Sequence, residues 1–174
     1  MDKINAEKIF YAALNAVNPY NAVANSIRIE DSTLIVGEED SPSDSYDLSR
    51  FKQINIVGCG KAAWPMCLAI EKVAGKHIGR GLVVTKYNHV SDPYPSKIEI
   101  REAAHPYPDR SGYDATVQTA RILESSGKDD LVIALISGGG SSLWALPVSP
   151  INLEEFRETT RELVGCGADI KEIN

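Results

Sequence analysis

The sequence has few cysteines, no long apolar run and no cluster of basic residues. Its three cysteines, Cys59, Cys67 and Cys166, form an odd set without a CxxC pair, which argues against a disulfide framework and against a structural zinc site. No apolar stretch approaches the ~20 residues of a membrane span. The opening residues, MDKINAEKIF, carry acids where a signal peptide has basic and apolar regions. We therefore expect a cytoplasmic protein with reduced thiols.

The charge balance excludes further classes of partner. Twenty-four acidic residues against eighteen basic ones leave a formal net charge of −6. Without a Lys/Arg cluster, the pattern argues against binding to nucleic acid and to an anionic membrane surface. A small anionic ligand would have to be held by local groups.

The composition is that of an ordinary globular protein, since 43% of the 174 residues are hydrophobic and 24% are charged. The first fifty residues predict an amphipathic helix, capped by Asn5 and stopped by Pro19, whose apolar stripe comprises Ala6, Ile9, Phe10, Ala13, Leu14 and Val17. A small hairpin of 26–30 with 33–36 follows. Residues 37–50 are acidic and polar, so we expect them to form a solvated, partly ordered connection.

Beyond residue 50, short apolar runs alternate with helical periods. Strands are predicted at 54–58, 81–85, 97–103 and 131–137, and helices at 61–75, 112–124 and 152–164. The run LVIALIS at 131–137 is the most apolar and is predicted to form the sheet centre, whereas 97–103 is predicted to form an edge. This order predicts an α/β fold, a Rossmann-like doubly wound, mainly parallel sheet with helices on both faces. Ligands of such sheets bind at the carboxyl ends of the strands.

Spacing also predicts which helix faces are buried. For helix 112–124 the predicted inner face comprises Tyr113, Val117, Ala120 and Leu123. For the last helix, Asn152 and Glu155 predict a capping box. Its predicted buried stripe comprises Leu153, Phe156, Thr160, Leu163 and Val164.

The first loop of interest, VGCGKAA at 57–63, follows a strand and opens a helix. Gly58, Gly60 and Ala63 satisfy G-x-G-x-x-A, a form of the dinucleotide fingerprint that brings backbone close to phosphate. The fingerprint also requires an acid after the second strand, where this sequence has Lys86. The pattern therefore disfavours NAD and leaves NADP open. Cys59 lies inside the same loop and is predicted to serve packing.

Lys61 is the most informative residue of that loop. A lysine beside a helix N-terminus faces the positive end of the helix dipole, which is unfavourable unless an anion lies there. A solvated lysine and a phosphate ligand are both consistent with the spacing. A Walker motif is excluded because Asn55 stands where its first glycine belongs and Ala62 where its hydroxyl belongs.

A second glycine loop, SGGGSS, follows the strand at 131–137. It comprises Ser137, Gly138, Gly139, Gly140, Ser141 and Ser142. Three consecutive glycines disfavour regular structure and are expected where positive φ or an unobstructed backbone is needed. A nest of N–H groups flanked by hydroxyls would suit a phosphate or carboxylate, and the alternative is a flexible turn. A hydrolase nucleophile elbow is excluded, since Leu143 replaces its last glycine.

The third feature is EAAHPYPD at 102–109, where two prolines impose a stiff loop that would hold His105 and Asp109 in place. His89 and His105 are candidate metal ligands by type. Histidines this far apart on loops are more often hydrogen-bonded structural groups, so we predict no metal site.

Together, VGCGKAAWPM, VVTKYNH, EAAHPYPD and LISGGGSSLWALP resemble, in that order, the glycerate 2-kinase family, also known as MOFRL or hydroxypyruvate-reductase-like proteins. Ala104 and Cys59 depart from the family pattern without removing a charged group. The resemblance implies a kinase that uses ATP and Mg²⁺ to phosphorylate the 2-hydroxyl of D-glycerate. It matches Lys61 to the catalytic lysine and the SGGGSS loop, with Gly58 and Gly60, to the phosphate or nucleotide contact. His105 and Asp109 would face the same cleft.

The resemblance also implies a domain organisation. Residues 1–50 would carry the helix, the hairpin and the acidic connection, and residues 51–174 would form the Rossmann-like N-terminal domain, with the family's second domain absent. We therefore expect an N-terminal fragment that binds nucleotide weakly and does not turn over glycerate. Apolar surface left uncovered would favour a homo-oligomer.

Two other functions stay open at this point. One is an NADPH-dependent hydroxypyruvate reductase, in which Lys86 would meet the 2′-phosphate. The other is a non-catalytic module that binds phosphate or sugar phosphate, because glycine loops at strand ends bind phosphates without reacting.

Overall fold

A computed structural model of the chain describes residues 3–173. Its strands form an antiparallel sheet, β1–β3, and a parallel sheet, β4–β7. The strands are β1 (Ile27–Glu30), β2 (Thr33–Glu38), β3 (Ser41–Asp47), β4 (Gln53–Cys59), β5 (Ile78–Lys86), β6 (Glu99–Ala103) and β7 (Asp130–Ile136). The helices are α1 (Lys3–Ala16), α2 (Pro19–Ser26), α3 (Ala63–Ala74), α4 (Arg110–Glu124), α5 (Gly140–Leu143), α6 (Leu153–Gly165) and α7 (Ile170–Ile173). None of these helices has the length and apolar content that crossing a membrane requires.

The parallel sheet has the order β6-β5-β4-β7, and helices cover both of its faces. On one face α3 packs with α2 and the hairpin over a cluster that includes Ile56, Val83 and Leu135. On the other face α4 and α5 pack over Leu82 and Val84. The doubly wound α/β class is therefore confirmed. Strand order reverses at β4, so the crevice expected to hold ligands lies between the carboxyl ends of β4 and β7.

The predicted position of the strand LVIALIS is wrong. Within residues 3–173, β7 pairs with β4 alone and forms an edge, while β4 and β5 lie in the middle. Leu131, Ile133 and Leu135 pack on the α3 side, but Val132 and Ile136 remain exposed on the opposite face. Both faces of this strand are apolar, although only one face is covered by other elements. Composition alone therefore does not distinguish this edge strand from a central one. The edge position predicted for 97–103 is confirmed by β6.

The acidic connection at 37–50 contains a strand that the sequence did not predict. All seven side chains of β3 are exposed, as expected for a solvated segment, but its backbone pairs with β2. Because no side chain is buried, the apolar alternation that signals a strand is missing. Pairing with β2 therefore defines β3.

The N-terminal helix also differs from the prediction. Helix α1 begins at Lys3, so Asn5 lies inside it, and Pro19 opens a second helix instead of merely stopping the first. Asn18 caps α2 by accepting a hydrogen bond from the N–H of Asn21 at 3.1 Å. Residues 4–17 are all exposed, so the apolar stripe of α1 is uncovered within the described part of the chain.

The predicted inner face of α4 is wrong as well. The residues that are buried are Gly112, Ala115 and Thr119, while Leu123 is exposed. Small residues let α4 approach the sheet closely, so that a methyl group added at Gly112 would lie 3.2 Å from Cβ of Ala103 in β6. The capping box of Asn152 and Glu155 is confirmed, but no residue of α6 is fully buried.

Candidate functional site

Loops from the carboxyl ends of the parallel strands surround a cavity of about 450 Å³. Lys61 follows β4, His105 follows β6, and Gly139, Ser141 and Ser142 follow β7. The remaining lining residues are mainly apolar: Pro106, Pro108, Phe156, Thr160, Val164 and Ile173. The cavity thus has a polar, basic end against the sheet and an apolar wall formed largely by α6.

Lys61, His105 and Gly139 meet at the polar end. Gly139 has φ 90°, a conformation that L side chains rarely adopt. A methyl group at Gly139 would lie 2.9 Å from Cδ2 and Nε2 of His105 and 3.2 Å from Cε of Lys61. Only a residue without a side chain fits between the loop and the side chains of Lys61 and His105.

The SGGGSS loop presents free backbone donors to this end. Within residues 3–173, the N–H groups of Gly138 and Gly139 donate to no protein acceptor. The hydroxyl of Ser142 donates to the carbonyl oxygen of Gly139 at 3.2 Å and holds the turn. Of the two, Gly139 lines the cavity beside Lys61, and an unpaired N–H group next to a lysine is a donor suited to an anion.

The G-x-G-x-x-A turn has a different role. The N–H groups of Gly60, Lys61 and Ala62 donate to Val84 O, Gly138 O and Ser137 Oγ at 3.0, 2.9 and 3.1 Å. A methyl group at Gly58 would lie 2.5 Å from the carbonyl oxygen of Leu135. The glycines therefore let β4 and β7 and their loops pack closely. Phosphate contact by Gly58 and Gly60 stays a prediction, and the donors a dinucleotide would need at this turn are already used.

His105 is held in a basic environment. Burial lowers the pKa of its imidazole below 6.5, and the charges of Lys61 and Lys86 lower it further. The ring is therefore neutral near pH 7. Within the described residues its side chain makes no hydrogen bond to protein, so both ring nitrogens are available to a ligand. A group of positive charges in a protein of net charge −6 favours an anionic ligand here.

Asp109 does not line the cavity. Its carboxylate accepts hydrogen bonds from the N–H of Gly112 at 2.9 Å and the hydroxyl of Tyr87 at 2.8 Å, so it caps α4. The bond to Asp109 is the main reason that the pKa of Tyr87 is raised. Within residues 3–173, no group of three or more His, Cys, Asp or Glu side chains is placed to hold a metal ion. The cleft role of Asp109 stays a prediction that its contacts do not support.

Cys59 lies beneath the glycine loop. A methyl group at Gly140 would lie 2.9 Å from its Sγ atom, and the residue is 2% exposed. Burial raises the pKa of the Cys59 thiol to about 11 and that of Cys67 to about 12, so neither is a ready nucleophile.

Two parts of the site were missed by the sequence. Phe156, Thr160 and Val164 recur every four residues, and the sequence prediction assigned that stripe to the core, whereas it faces the cavity. His89 was considered only as a structural or metal-binding group, although its Nδ1 lies 3.1 Å from the carbonyl oxygen of Lys61. The i, i+4 spacing of the α6 residues was a signal that could have identified the apolar wall. No local feature of the sequence indicated the contact of His89 with Lys61.

Comparison with known proteins gives consistent matches. Residues 5–174 match the family described as a domain of unknown function, DUF4147. D-glycerate 2-kinase of Thermotoga maritima is 43% identical over 122 residues, covering 70% of this chain and 29% of that protein. Glycerate 2-kinase of Pyrococcus horikoshii is 36% identical over 163 residues, covering 93% and 34%.

A solved structure shares the fold. The crystal structure of a protein from Pyrococcus horikoshii OT3 superposes with a TM-score of 0.82 at 33% identity, covering 99% of this chain and 37% of that one. The chain spans about a third of the length of the relatives it matches.

Proposed function

The chain belongs to the DUF4147 family as a homologue of the N-terminal part of glycerate 2-kinases, and from this premise we propose that it forms the phosphate-binding part of an ATP-dependent kinase for the 2-hydroxyl of D-glycerate. The observation that carries the proposal is that Lys61, His105 and the SGGGSS loop line one cavity. Three motifs that lie between residues 61 and 142 of the sequence bring an ammonium group, an imidazole and N–H donors to the same space. Phosphoryl transfer depends on such positioning and charge neutralisation.

We assign the roles by chemistry. The ammonium group of Lys61 and the free N–H groups of the glycine loop would hold the phosphoryl group and its developing charge. The hydroxyls of Ser141 and Ser142 lie beside them. Neutral His105 would accept a hydrogen bond from the acceptor hydroxyl and orient it. The apolar wall of Pro106, Pro108 and α6 would exclude water from that side.

Mg²⁺ does not fit the lining residues that are described. Mg²⁺ prefers carboxylate and phosphate oxygens, and no Asp or Glu lines the cavity within residues 3–173. Asp109 directly follows the lining residue Pro108, but its carboxylate caps α4 and binds the hydroxyl of Tyr87. We derive no step through a metal ion from this chain. Residues 1–174 alone would then act as an anion-binding module without turnover, as half of a catalytic cleft.

The cellular location, the oligomeric state and the division of the chain are proposals as well. All three cysteines are free, which supports a cytoplasmic, reducing location. The exposed apolar stripe of α1 and the exposed face of β7 support a homo-oligomer or coverage by further protein. We also propose the division of the chain into residues 1–50 and residues 51–174, whose described parts share one hydrophobic core through Val23, Leu34 and Leu48.

The proposal predicts that Gly139→Ala weakens anion binding. The added methyl group has to displace His105 and Lys61, and the backbone is held at a φ of 90°. A loss of about tenfold in the affinity for ADP and for inorganic phosphate corresponds to about 1.4 kcal/mol, and calorimetric titration measures it. Gly138→Ala is the matched variant, since a methyl group there meets nothing within 4 Å and the N–H is kept. Equal affinities for Gly139→Ala and the unmodified chain would contradict the site.

A second prediction concerns the pKa of His105. In the free protein we expect a pKa below 6.5, so that the ring gains its proton only as the pH falls below that value. Phosphate offsets the surrounding positive charges and should raise this pKa. Lys61→Met should also raise it by removing one of those charges, while Lys72→Met, at the far end of α3, should not. An NMR pH titration that follows the Cε1 proton of the imidazole measures the pKa of His105 in each of these samples. A pKa that stays the same in Lys61→Met and in phosphate would contradict the proposed charge cluster.

A further inference from the structure

The backbone of Lys61 is not part of a helix or strand, although its side chain lines the cavity. It lies in the turn between β4 and α3. Its N–H donates to the carbonyl oxygen of Gly138 at 2.9 Å, which ties it to the loop after β7. Its own carbonyl oxygen faces the loop after β5. Contacts from both neighbouring loops, and not regular structure, therefore fix where this lysine sits.

The contact from the β5 loop is made by His89. Its Nδ1 atom lies 3.1 Å from the carbonyl oxygen of Lys61. A carbonyl oxygen only accepts hydrogen bonds, so Nδ1 has to carry the hydrogen. This assignment leaves Nε2 as the nitrogen without a hydrogen in the neutral ring. The geometry thus specifies one of the two tautomers.

His89 is itself held in place. Asn88 adopts φ 62°, a left-handed conformation that asparagine tolerates, and reverses the chain after β5. The N–H of His89 then lies 3.2 Å from both the carbonyl oxygen of Lys86 and Oε1 of Glu102. The imidazole is consequently presented to Lys61 from a loop anchored to β5 and to β6.

From these contacts we infer that His89 is the positioning residue for Lys61: its Nδ1–H donates to the Lys61 carbonyl and, together with the Gly138 contact, fixes the backbone from which the lysine side chain reaches Gly139 and His105. His89 is not among the residues that line the cavity, so it would act on a ligand only through Lys61. The inference rests on the proposed anion-binding role of Lys61. It assigns to the histidine of the KYNH segment an orienting function distinct from metal ligation.

The test compares two substitutions in the full 174-residue chain. His89→Ala removes the donor, whereas His89→Asn places an amide N–H near the position of Nδ1. We expect inorganic phosphate to bind about five- to tenfold more weakly to His89→Ala, the usual effect of losing one hydrogen bond. We expect His89→Asn to bind within about twofold of the unmodified chain. Hydrogen exchange of the Lys61 amide should quicken in His89→Ala and slow again in His89→Asn.

A third measurement separates this inference from the proposed function. The ¹⁵N shifts of the His89 ring should show the hydrogen on Nδ1, and an Nε2–H tautomer would overturn the inference whatever the protein binds. Unchanged exchange at Lys61 in His89→Ala, or an equal loss in both variants, would also overturn it. If phosphate does not bind the unmodified chain but the tautomer and exchange results hold, the positioning stands and the proposed function fails. His77→Asn, at the opposite end of α3, should leave all three readouts unchanged.

Discussion

Gly60→Ala is expected to destabilise the protein by more than about 4 kcal/mol, which is exceptional for a single substitution. Gly60 has φ 132°, a conformation that costs L side chains about 1–3 kcal/mol. The added methyl group would also lie 2.5 Å from the carbonyl oxygen of Ser137 and would overlap its hydroxyl. The clash falls at the junction of β4 and β7, where the core is closely packed.

The turn has little freedom to relieve that clash. The N–H of Gly60 donates to Val84 O at 3.0 Å, and its carbonyl accepts from the hydroxyl of Thr85 at 3.0 Å. Thr85 is fully buried. Shifting Gly60 away from Ser137 would therefore break two hydrogen bonds, at least one of them to a group without access to water.

Thermal unfolding followed by circular dichroism measures the effect. For a domain of this size we expect the midpoint to fall by about 10 °C or more. Gly75→Ala is the control, because Gly75 has φ −51° and the nearest atom to an added methyl group is 3.7 Å away. That variant should melt at or slightly above the temperature of the unmodified chain. If the melting midpoint of Gly60→Ala lies within about 2 °C of that of the unmodified chain, the loss of stability is within about 1 kcal/mol. The packing role assigned to Gly60 is then wrong.

Local sequence patterns predicted the central parts of the fold because each of these parts is defined by its own residues. The run INIVG forms β4 and is buried on both faces, and the glycines after it and after β7 stand at tight turns. Because carboxyl ends of parallel strands share one edge, the sequence alone predicts that the motifs lie together. The structure brings Lys61, His105 and Gly139 into one cavity.

The errors arise where the outcome depends on distant partners. Whether LVIALIS is central or an edge depends on what pairs with its second side. The inner face of α4 was misassigned because the prediction counted large apolar residues, while close packing on the sheet selected Gly112, Ala115 and Thr119. The cleft role of Asp109 stays a prediction. Its carboxylate accepts hydrogen bonds from Tyr87 and from the first turn of α4, two partners that the local sequence did not reveal.

Lys61→Met is expected to have the largest effect on activity. In a protein that carries this segment within the full length of its relatives, we expect the substitution to lower kcat for glycerate phosphorylation by about 10²–10³-fold, as the loss of one preorganised charge donor does. The side chain lies beside Gly139 and His105, and within residues 3–173 no salt bridge neutralises it. An ADP-coupled assay with ATP, Mg²⁺ and D-glycerate measures the change. Lys72→Met, near the C-terminal end of α3 and not among the residues that line the cavity, should retain activity.

The 174-residue chain alone is expected to bind phosphate but to show turnover below ~1 per second, the lower end of typical kcat values. Its cavity supplies a lysine, a neutral histidine and N–H donors, but no described lining residue is a carboxylate. Transfer also requires both substrates to be held within about an ångström of the reactive geometry, which needs a wall opposite the sheet. If the chain alone turns over glycerate above ~1 per second and Lys61→Met abolishes it, the lining residues suffice and the need for further groups is refuted. If instead the longer protein is active and Lys61→Met leaves kcat unchanged, Lys61 does not contact the transferred phosphoryl group.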